Sequence, residues 1–247
     1  MTSPQEFLYR NKDEKNSKYP LLSRVTFLRK TICHTLMFLA FTAITIFFIT
    51  KNNELEILFN QQHEMFSIIS LTIFFTIYVA IIKSEKIRFT RGINYIAGFL
   101  LAASLGFLIA VESSWYTLEI NVNSMFISII VSIIISAIAC KSEKDFTIYM
   151  KSLIILTIIF AIVSILSFIF SKVMDTSNPR HLCSLGGFLL SCAYIVVDTQ
   201  SISTKDRCNQ LATNEYVLGG VQMLVDFSYL FYYCMGVLGT EVSFETK

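Results

Sequence analysis

Seven long apolar segments decide what this chain can fold into. Only 15% of its 247 residues are charged, whereas a typical soluble domain carries about 25%. A helix of about 20 apolar residues crosses the roughly 30 Å hydrocarbon core of a bilayer. The sequence therefore predicts an all-α membrane protein, a bundle of seven transmembrane helices. The segments lie near residues 31–50, 66–82, 93–111, 122–140, 148–170, 182–202 and 216–239.

The apolar segments divide the chain into three parts. Residues 1–30 are predicted to form a basic, cytosolic N-terminal arm, residues 31–239 the seven-helix domain, and residues 240–247 a short C-terminal tail. The six cysteines are scattered and form no CxxC pair. They indicate small packing residues and not a disulfide framework or a zinc site.

The distribution of basic residues predicts the orientation of the chain in the membrane. With the N-terminus in the cytosol, sixteen of the twenty Lys and Arg residues lie on the cytosolic side and four on the other side. The positive-inside rule therefore predicts a cytosolic N-terminus and a C-terminus across the membrane. A re-entrant last segment, with both termini in the cytosol, fits the charges nearly as well because the tail carries only Lys247.

Two aspartates interrupt the last two apolar segments. An ionisable side chain at membrane depth costs about 2.5 to 3.5 kcal/mol or more, so it usually faces a bundle interior, a water cavity or a partner. Counting about 1.5 Å per residue places Asp226 about 15 Å beyond Tyr216, and Asp198 about 9 Å from it in height if both helices stand upright. Helix tilt or a bridging water would close that gap. The alternative for Asp198 is an interfacial position at a helix end.

Small and large apolar residues separate the other spans into two kinds. Gly98, Ala102 and Gly106 recur at intervals of four in the third span, which predicts a helix that packs closely against a neighbour. The second, fourth and fifth spans are rich in Ile and Phe and carry no charge in their middle, which is typical of lipid-facing helices.

The loops predicted to lie across the membrane from the N-terminus are acidic. A negatively charged vestibule raises the local concentration of cations. Loops without basic residues also arise from the positive-inside rule alone. Trp115 and Tyr116 beside the third loop fit an interfacial anchor. The acidic residues are Glu54, Glu56, Glu64, Glu112 and Glu119.

Five short motifs carry a family resemblance. They are FLRK (Phe27 to Lys30), KDFT (Lys144 to Thr147), IVVDTQSI (Ile195 to Ile202), the dipeptide Glu215-Tyr216, and VDFSYLF (Val225 to Phe231). In this order, and over most of the chain, they resemble the signature of the Bax-inhibitor/lifeguard family of multi-pass membrane proteins.

The resemblance implies a fold, a function and a location. The expected fold is a seven-helix bundle with the last helix in the centre. The expected function is a pH-sensitive calcium leak from intracellular stores together with suppression of cell death. Asp198 and Asp226 match the family's pH-sensitive pair, and Glu215 matches an acidic position at the pore entrance. The implied location is the endoplasmic reticulum or the Golgi, with the plasma membrane as the alternative. The tail SFETK departs from the lysine-rich end of some members.

The two aspartates predict how such a leak would be gated. Two carboxylates in a poorly solvated site do not both ionise easily, so the pair holds one proton near neutral pH. Loss of that proton leaves two anions that repel each other or bind Ca²⁺ transiently. Calcium is then the permeant ion, and no resident cofactor is expected. The nearest candidate basic partners of the pair are Lys83, Lys86, Arg88 and Arg91.

Two other classes of function remain as alternatives. A non-transporting membrane adaptor would inhibit cell death through protein partners such as apoptosis regulators of the Bcl-2 type. An intramembrane aspartyl protease also needs two aspartates on adjacent spans, but the run MLVD ending at Asp226 lacks the GxGD arrangement. The chain is therefore predicted not to be an enzyme. Its expected partners are membrane lipid and calcium ions and not nucleic acid, and its oligomeric state is not predicted.

Overall fold

The computed structural model describes residues 23–52, 54, 57–58, 61–90, 92–174, 178–203 and 207–239. The tail at 240–247 and all of the N-terminal arm before residue 23 lie outside these ranges. A 3-10 turn, Phe146–Tyr149, leads directly into the sixth helix. In chain order the helices are α1 (Arg24–Thr50), α2 (His63–Lys83), α3 (Glu85–Phe89), α4 (Ile93–Ser113), α5 (Leu118–Lys141), α6 (Met150–Met174), α7 (Asn178–Ser203) and α8 (Tyr216–Leu238).

The seven predicted spans are confirmed. Among the described residues, every helix except the short α3 is long and apolar enough to cross a membrane. The helix ends differ from the apolar windows, and α1 begins at Arg24 instead of near residue 31. The reason is a cap, because the Ser23 hydroxyl accepts a hydrogen bond from the Thr26 amide and so starts the helix before the apolar stretch.

Helix α8 is the most deeply buried of the spans. In its most apolar window 56% of the residues are buried, compared with 6% in the span formed by Phe146–Ser167. It packs against α1, α4, α5 and α7. The arrangement in which all six other spans surround α8 stays a prediction.

Helix α4 packs closely against α1, as its small residues predict. A Cβ atom on Gly98 would lie 2.4 Å from Cζ of Phe38, and one on Gly106 would lie 2.9 Å from the carbonyl oxygen of Thr42. The Thr42 hydroxyl also donates a hydrogen bond of 3.1 Å to the carbonyl oxygen of Ala102. The absent side chains let the two backbones approach, and a hydroxyl-to-carbonyl hydrogen bond joins them.

The connection between α7 and α8 is held against the bundle end where the chain enters α1. Arg24 donates hydrogen bonds of 2.8 and 2.9 Å to the carbonyl oxygens of Ser201 and Leu211. Arg207 donates two more, of 2.7 and 3.0 Å, to the carbonyl oxygens of Ser142 and Glu143. The described part of this connection therefore forms an ordered cover over one end of α7 and α8.

Candidate functional site

Asp198 and Asp226 face each other in the interior of the bundle. Their side chains are 4% and 6% exposed, and the two carboxyl groups lie within hydrogen-bonding reach of each other. An ionised carboxylate only accepts hydrogen bonds, so a bond between two carboxyl groups requires one proton between them. One oxygen of each group, Oδ1 of Asp198 and Oδ2 of Asp226, is buried without a hydrogen-bond partner among the described residues. The pair therefore presents acceptor oxygens that can take a further proton, a water molecule or a cation.

The contact shows that α7 and α8 are not upright rods with level ends. Such rods would separate the two carboxylates by about 9 Å in height. Helix α7 begins at Asn178, four residues before the predicted window at 182. The depth of Asp198 counted from residue 182 therefore does not give its height relative to Asp226. A small tilt or an axial offset of the helices brings the two groups together.

A tyrosine on α2 is an electrostatic neighbour of the pair. The Tyr78 hydroxyl is close enough to both Asp198 and Asp226 for electrostatic interaction with each. Its ring stacks on Phe74, with centroids 5.7 Å apart, and Phe74 meets the ring of Tyr229 at 6.0 Å. Sequence reasoning missed Tyr78 because it treated the second span as lipid-facing. The sequence feature that could have singled it out is that Tyr78 is the single tyrosine in a span rich in Ile and Phe.

The position of Tyr78 corrects part of the lipid-facing prediction. Ile68, Ile73 and Phe75 of α2 are exposed, in agreement with that prediction. Phe74 and Ile81 are only 1% and 2% exposed. Helix α2 therefore turns one face to lipid and a second face, which carries Tyr78, to the bundle.

Gln222 contributes another acceptor oxygen one helical turn before Asp226. Its Oε1 is buried without a hydrogen-bond partner among the described residues. Residues at i and i+4 lie on the same face of a helix. The face of α8 that carries Asp226 thus also carries an amide, which sequence reasoning did not single out.

Glu215 lies at the start of α8 and forms an ion pair. Nη1 of Arg88 donates to Oε1 of Glu215 over 2.7 Å, and Oε2 of Glu215 accepts from the Ala212 amide over 3.3 Å. Burial raises the pKa of the Glu215 carboxyl above its ordinary value, although the charge of Arg88 and the hydrogen bond from Ala212 act in the opposite direction. The predicted pore-entrance residue is thus a buried acid held by an arginine.

The candidate basic partners do not all lie near the aspartates. Arg88 pairs with Glu215, because the five-residue helix α3 carries it to the start of α8. Lys83 and Lys86 are exposed to the surroundings. Arg91 lies outside the described residues. Arg88 is therefore the partner of Glu215, and Lys83 and Lys86 lie at the surface.

The ligands available at the pair suit only weak cation binding. Calcium takes six to eight oxygen ligands, and two carboxyl groups supply at most four. Within the part of the chain that the structure describes, no group of three or more His, Cys, Asp or Glu side chains is placed to hold a metal ion. An ion at the pair would keep several waters, which favours passage over retention.

Comparison with known proteins places this chain in a family. The profile of the family described as "Inhibitor of apoptosis-promoting Bax1" matches residues 24–242, and so includes all seven spans and both aspartates. The chain belongs to this family. Its membership is consistent with a role in the regulation of apoptosis, and the seven apolar helices make it an integral, multi-pass membrane protein.

Two curated relatives agree with the family. The chain is 24% identical over 188 residues to "Bax inhibitor 1" of Schizosaccharomyces pombe, a match that covers 72% of this chain and 63% of that protein. It is 22% identical over 171 residues to "Protein lifeguard 3" of Homo sapiens, a match that covers 69% of this chain and 55% of that protein. The chain thus spans less than two thirds of the length of either relative.

Proposed function

We propose that this protein is a pH-sensitive calcium leak channel of an intracellular membrane, gated by the Asp198–Asp226 pair. In this proposal its N-terminus is cytosolic, its location is the endoplasmic reticulum or the Golgi, and its effect on calcium stores contributes to negative regulation of apoptosis. The observation that carries the proposal is the proximity of two buried carboxyl groups on consecutive spans.

The geometry supports gating by one proton. A proton shared between the two carboxyl groups holds α7 and α8 together at the middle of the bundle. When that proton leaves, two negative charges face each other in a site of low polarity, where their repulsion is far stronger than in water. The pair then separates or binds a cation, and either change opens the contact between the two helices.

Surrounding polar groups support a path at the pair. The Tyr78 hydroxyl is an electrostatic neighbour of both carboxyl groups. Gln222 carries a buried amide oxygen one helical turn before Asp226. Oxygen ligands of this kind replace part of the water shell of Ca²⁺ without holding it tightly. The leak would therefore be slow and driven by the calcium gradient.

Calcium efflux from proteoliposomes tests the proposal. Purified wild-type protein is expected to release trapped calcium at a rate that rises between about pH 6 and pH 8, as the shared proton is lost. Asp226→Asn is expected to abolish the flux, and Asp198→Asn to flatten its pH dependence. Both substitutions keep the shape of the side chain and remove its charge.

A matched control separates the pair from acidity in general. Glu143 is exposed at the end of the bundle where the chain enters α1, and Glu143→Gln is expected to leave both flux and pH profile unchanged. Undiminished calcium release by Asp226→Asn, with protein incorporated at the wild-type level, would reject the assignment.

A non-transporting adaptor is the second candidate, favoured by the description of the family as an inhibitor of an apoptosis-promoting protein. In that case the aspartates stabilise the packing of α7 on α8, and apoptosis regulators bind elsewhere on the chain. Purified protein would then show no flux at any pH, while expression in cells would still protect against death.

A further inference from the structure

Three tyrosines on α8 connect the aspartate pair with the end of the bundle where α8 stops. Tyr229, Tyr232 and Tyr233 follow Asp226 within two helical turns. The ring centroids of Tyr229 and Tyr233 lie 6.3 Å apart, and those of Tyr232 and Tyr233 lie 5.0 Å apart. A phenol hydroxyl both donates and accepts hydrogen bonds. These three rings therefore form a contiguous tyrosine row along α8, and each ring carries one hydroxyl group.

The row ends at a carboxylate. Glu112 lies in the last turn of α4 and is the strongest electrostatic neighbour of the Tyr232 hydroxyl. Its Oε1 accepts a hydrogen bond of 2.7 Å from the Ser67 hydroxyl of α2. The Glu112 carboxylate of α4 thus contacts a hydroxyl of α2 and has a phenol of α8 as an electrostatic neighbour. Carboxylate and hydroxyl oxygens are the ligand types of a hard divalent cation.

The local structure holds Glu112 in place. The amide nitrogen Nδ2 of Asn121 donates a hydrogen bond of 3.0 Å to the carbonyl oxygen of Ser113, which ties the end of α4 to α5. Tyr116 packs against the C-terminal end of α8, where a Cβ atom on Gly239, the residue after the helix, would clash with its ring. Glu112 is therefore part of a packed corner between three helices and not a residue of a loose loop.

The charges around this corner favour cations. The sequence from Glu112 to Asn121 contains two glutamates and no Lys or Arg. One sign of charge beside low-polarity walls concentrates counter-ions at the surface. The corner lies at the end of α8 opposite Glu215, so a cation bound there would meet the tyrosine row before the aspartate pair.

We propose that Glu112, with Ser67 and Tyr232, forms an outer cation-binding site that supplies divalent cations to the Asp198–Asp226 pair along the tyrosine row. The proposal rests on the proposed function as a cation pathway. The site binds a partly hydrated divalent cation weakly, with the carboxylate as the charged ligand and the two hydroxyl groups as neutral ligands. Ser67 and Tyr232 also position the carboxylate.

Terbium luminescence tests the site without any measurement of flux. Trp115 is the single tryptophan of the chain, and its amide donates to the carbonyl oxygen of Glu112 over 3.3 Å. Terbium is a probe for calcium sites, and tryptophan excitation makes only nearby terbium emit. Wild-type protein in detergent is expected to show sensitised emission that calcium displaces. Glu112→Gln is expected to weaken terbium binding about tenfold, whereas Glu112→Asp retains it.

Two controls make this experiment specific. Glu119 is exposed near the same corner, and Glu119→Gln is expected to weaken terbium binding much less than Glu112→Gln does, because it removes a nearby charge but no ligand. Asp226→Asn is expected to keep the wild-type affinity, because the outer site does not need the pair. Emission that survives Glu112→Gln, or that is lost in Glu119→Gln instead, would overturn the site.

Currents across a planar bilayer then connect the site with the pathway. With calcium added to each side in turn, Glu112→Gln is expected to raise the half-saturating calcium concentration about tenfold from one side only. An equal shift from both sides, or no shift, would overturn the role of Glu112 in supplying the pair. Wild-type protein that binds terbium at Glu112 but passes no current would instead reject the proposed function and leave the cation site standing.

Discussion

The ion pair between Arg88 and Glu215 predicts an unequal response to removal of its two members. The side chains are 21% and 10% exposed, so Glu215 is the more deeply buried partner. Arg88→Met leaves a buried carboxylate without its counter-ion. Glu215→Gln leaves an arginine whose side chain still reaches solvent. The first substitution should therefore be much more damaging than the second.

The size of each effect follows from burial. Removing one partner from a fully buried pair costs about 3 to 5 kcal/mol, and an exposed pair is worth about 0 to 1 kcal/mol. The exposure of Arg88 places the Arg88→Met variant between these limits, at about 2 to 3 kcal/mol, and the Glu215→Gln variant below about 1 kcal/mol. In a chain of this length, about 1 kcal/mol corresponds to 2 to 4 °C in Tm. The Arg88→Met variant should therefore lose about 4 to 12 °C.

The Tm deficit of Arg88→Met should depend on pH, and the raised pKa of Glu215 gives the direction of that dependence. The pKa of Glu215 is raised in the folded protein, so its contribution to stability is present below the ordinary pKa of a glutamate and is lost as pH rises through the raised value. The charge of Arg88 lowers this pKa. Arg88→Met removes that charge, so the Glu215 carboxyl of the folded variant stays protonated up to a higher pH. The Tm deficit of Arg88→Met should therefore be largest near neutral pH and shrink as the solution becomes acidic.

Thermal unfolding in detergent, followed by loss of the monodisperse peak in size-exclusion chromatography, measures these differences. Wild type, both single variants and the double variant are compared at about pH 7.5 and about pH 5.5. The double variant should be more stable than Arg88→Met alone, because it holds no unpaired buried charge. A Glu215→Gln variant as unstable as Arg88→Met, or a deficit of Arg88→Met that grows on acidification, would refute the reasoning.

Three further substitutions have expected effects on the same Tm assay. Gln200 is 0% exposed and hydrogen-bonds three backbone groups. Gln200→Leu should therefore cost about 3 kcal/mol of stability, because it leaves these groups unpaired. The control Ser203→Ala, one turn along the same helix, should cost much less. Gly106→Val should cost about 2 kcal/mol of stability or more, because the Cβ atom of the valine would meet the Thr42 backbone. A loss of less than about 0.5 kcal/mol would contradict this close packing. Partial burial acts to raise the pKa of Asp145, but hydrogen bonds from Thr147 and Cys208 and the charge of Arg207 outweigh it and lower the pKa. Its stabilisation is therefore present above the ordinary pKa of an aspartate and is lost only as pH falls through the lowered value. Asp145→Asn should lower Tm equally at about pH 7.5 and about pH 5.5, and the deficit should disappear only below about pH 4.

The fold was largely predictable from the sequence because lipid imposes one strong rule. Each spanning helix needs a long apolar stretch, and seven such stretches are legible in the chain. Asp198 and Asp226 could be singled out for the same reason, because an ionisable side chain inside an apolar stretch usually faces a bundle interior or a partner. The small residues of the third span likewise predicted the close contact of α4 with α1.

The parts that sequence reasoning missed depend on which way a helix face turns. Tyr78 reaches the aspartates because one face of α2 turns inward, and an apolar stretch does not record the direction of its faces. Arg88 reaches Glu215 because the Ser84 hydroxyl accepts from the Ile87 amide and starts the short helix α3. Both features are set by tertiary packing, which overrides local pattern.

One shared proton limits how steeply the proposed leak can respond to pH. Each pH unit changes the free energy of a single protonation step by about 1.36 kcal/mol, or tenfold in population. Moving a gate from about 1% to about 99% open takes about 5.5 kcal/mol, which one proton supplies only over about four pH units. If Asp198 and Asp226 are the whole sensor, calcium efflux should change no more than about tenfold per pH unit at its steepest. A steeper profile would require a second titrating group. Glu215 is the candidate, and Glu215→Gln should then reduce the slope to that of one proton.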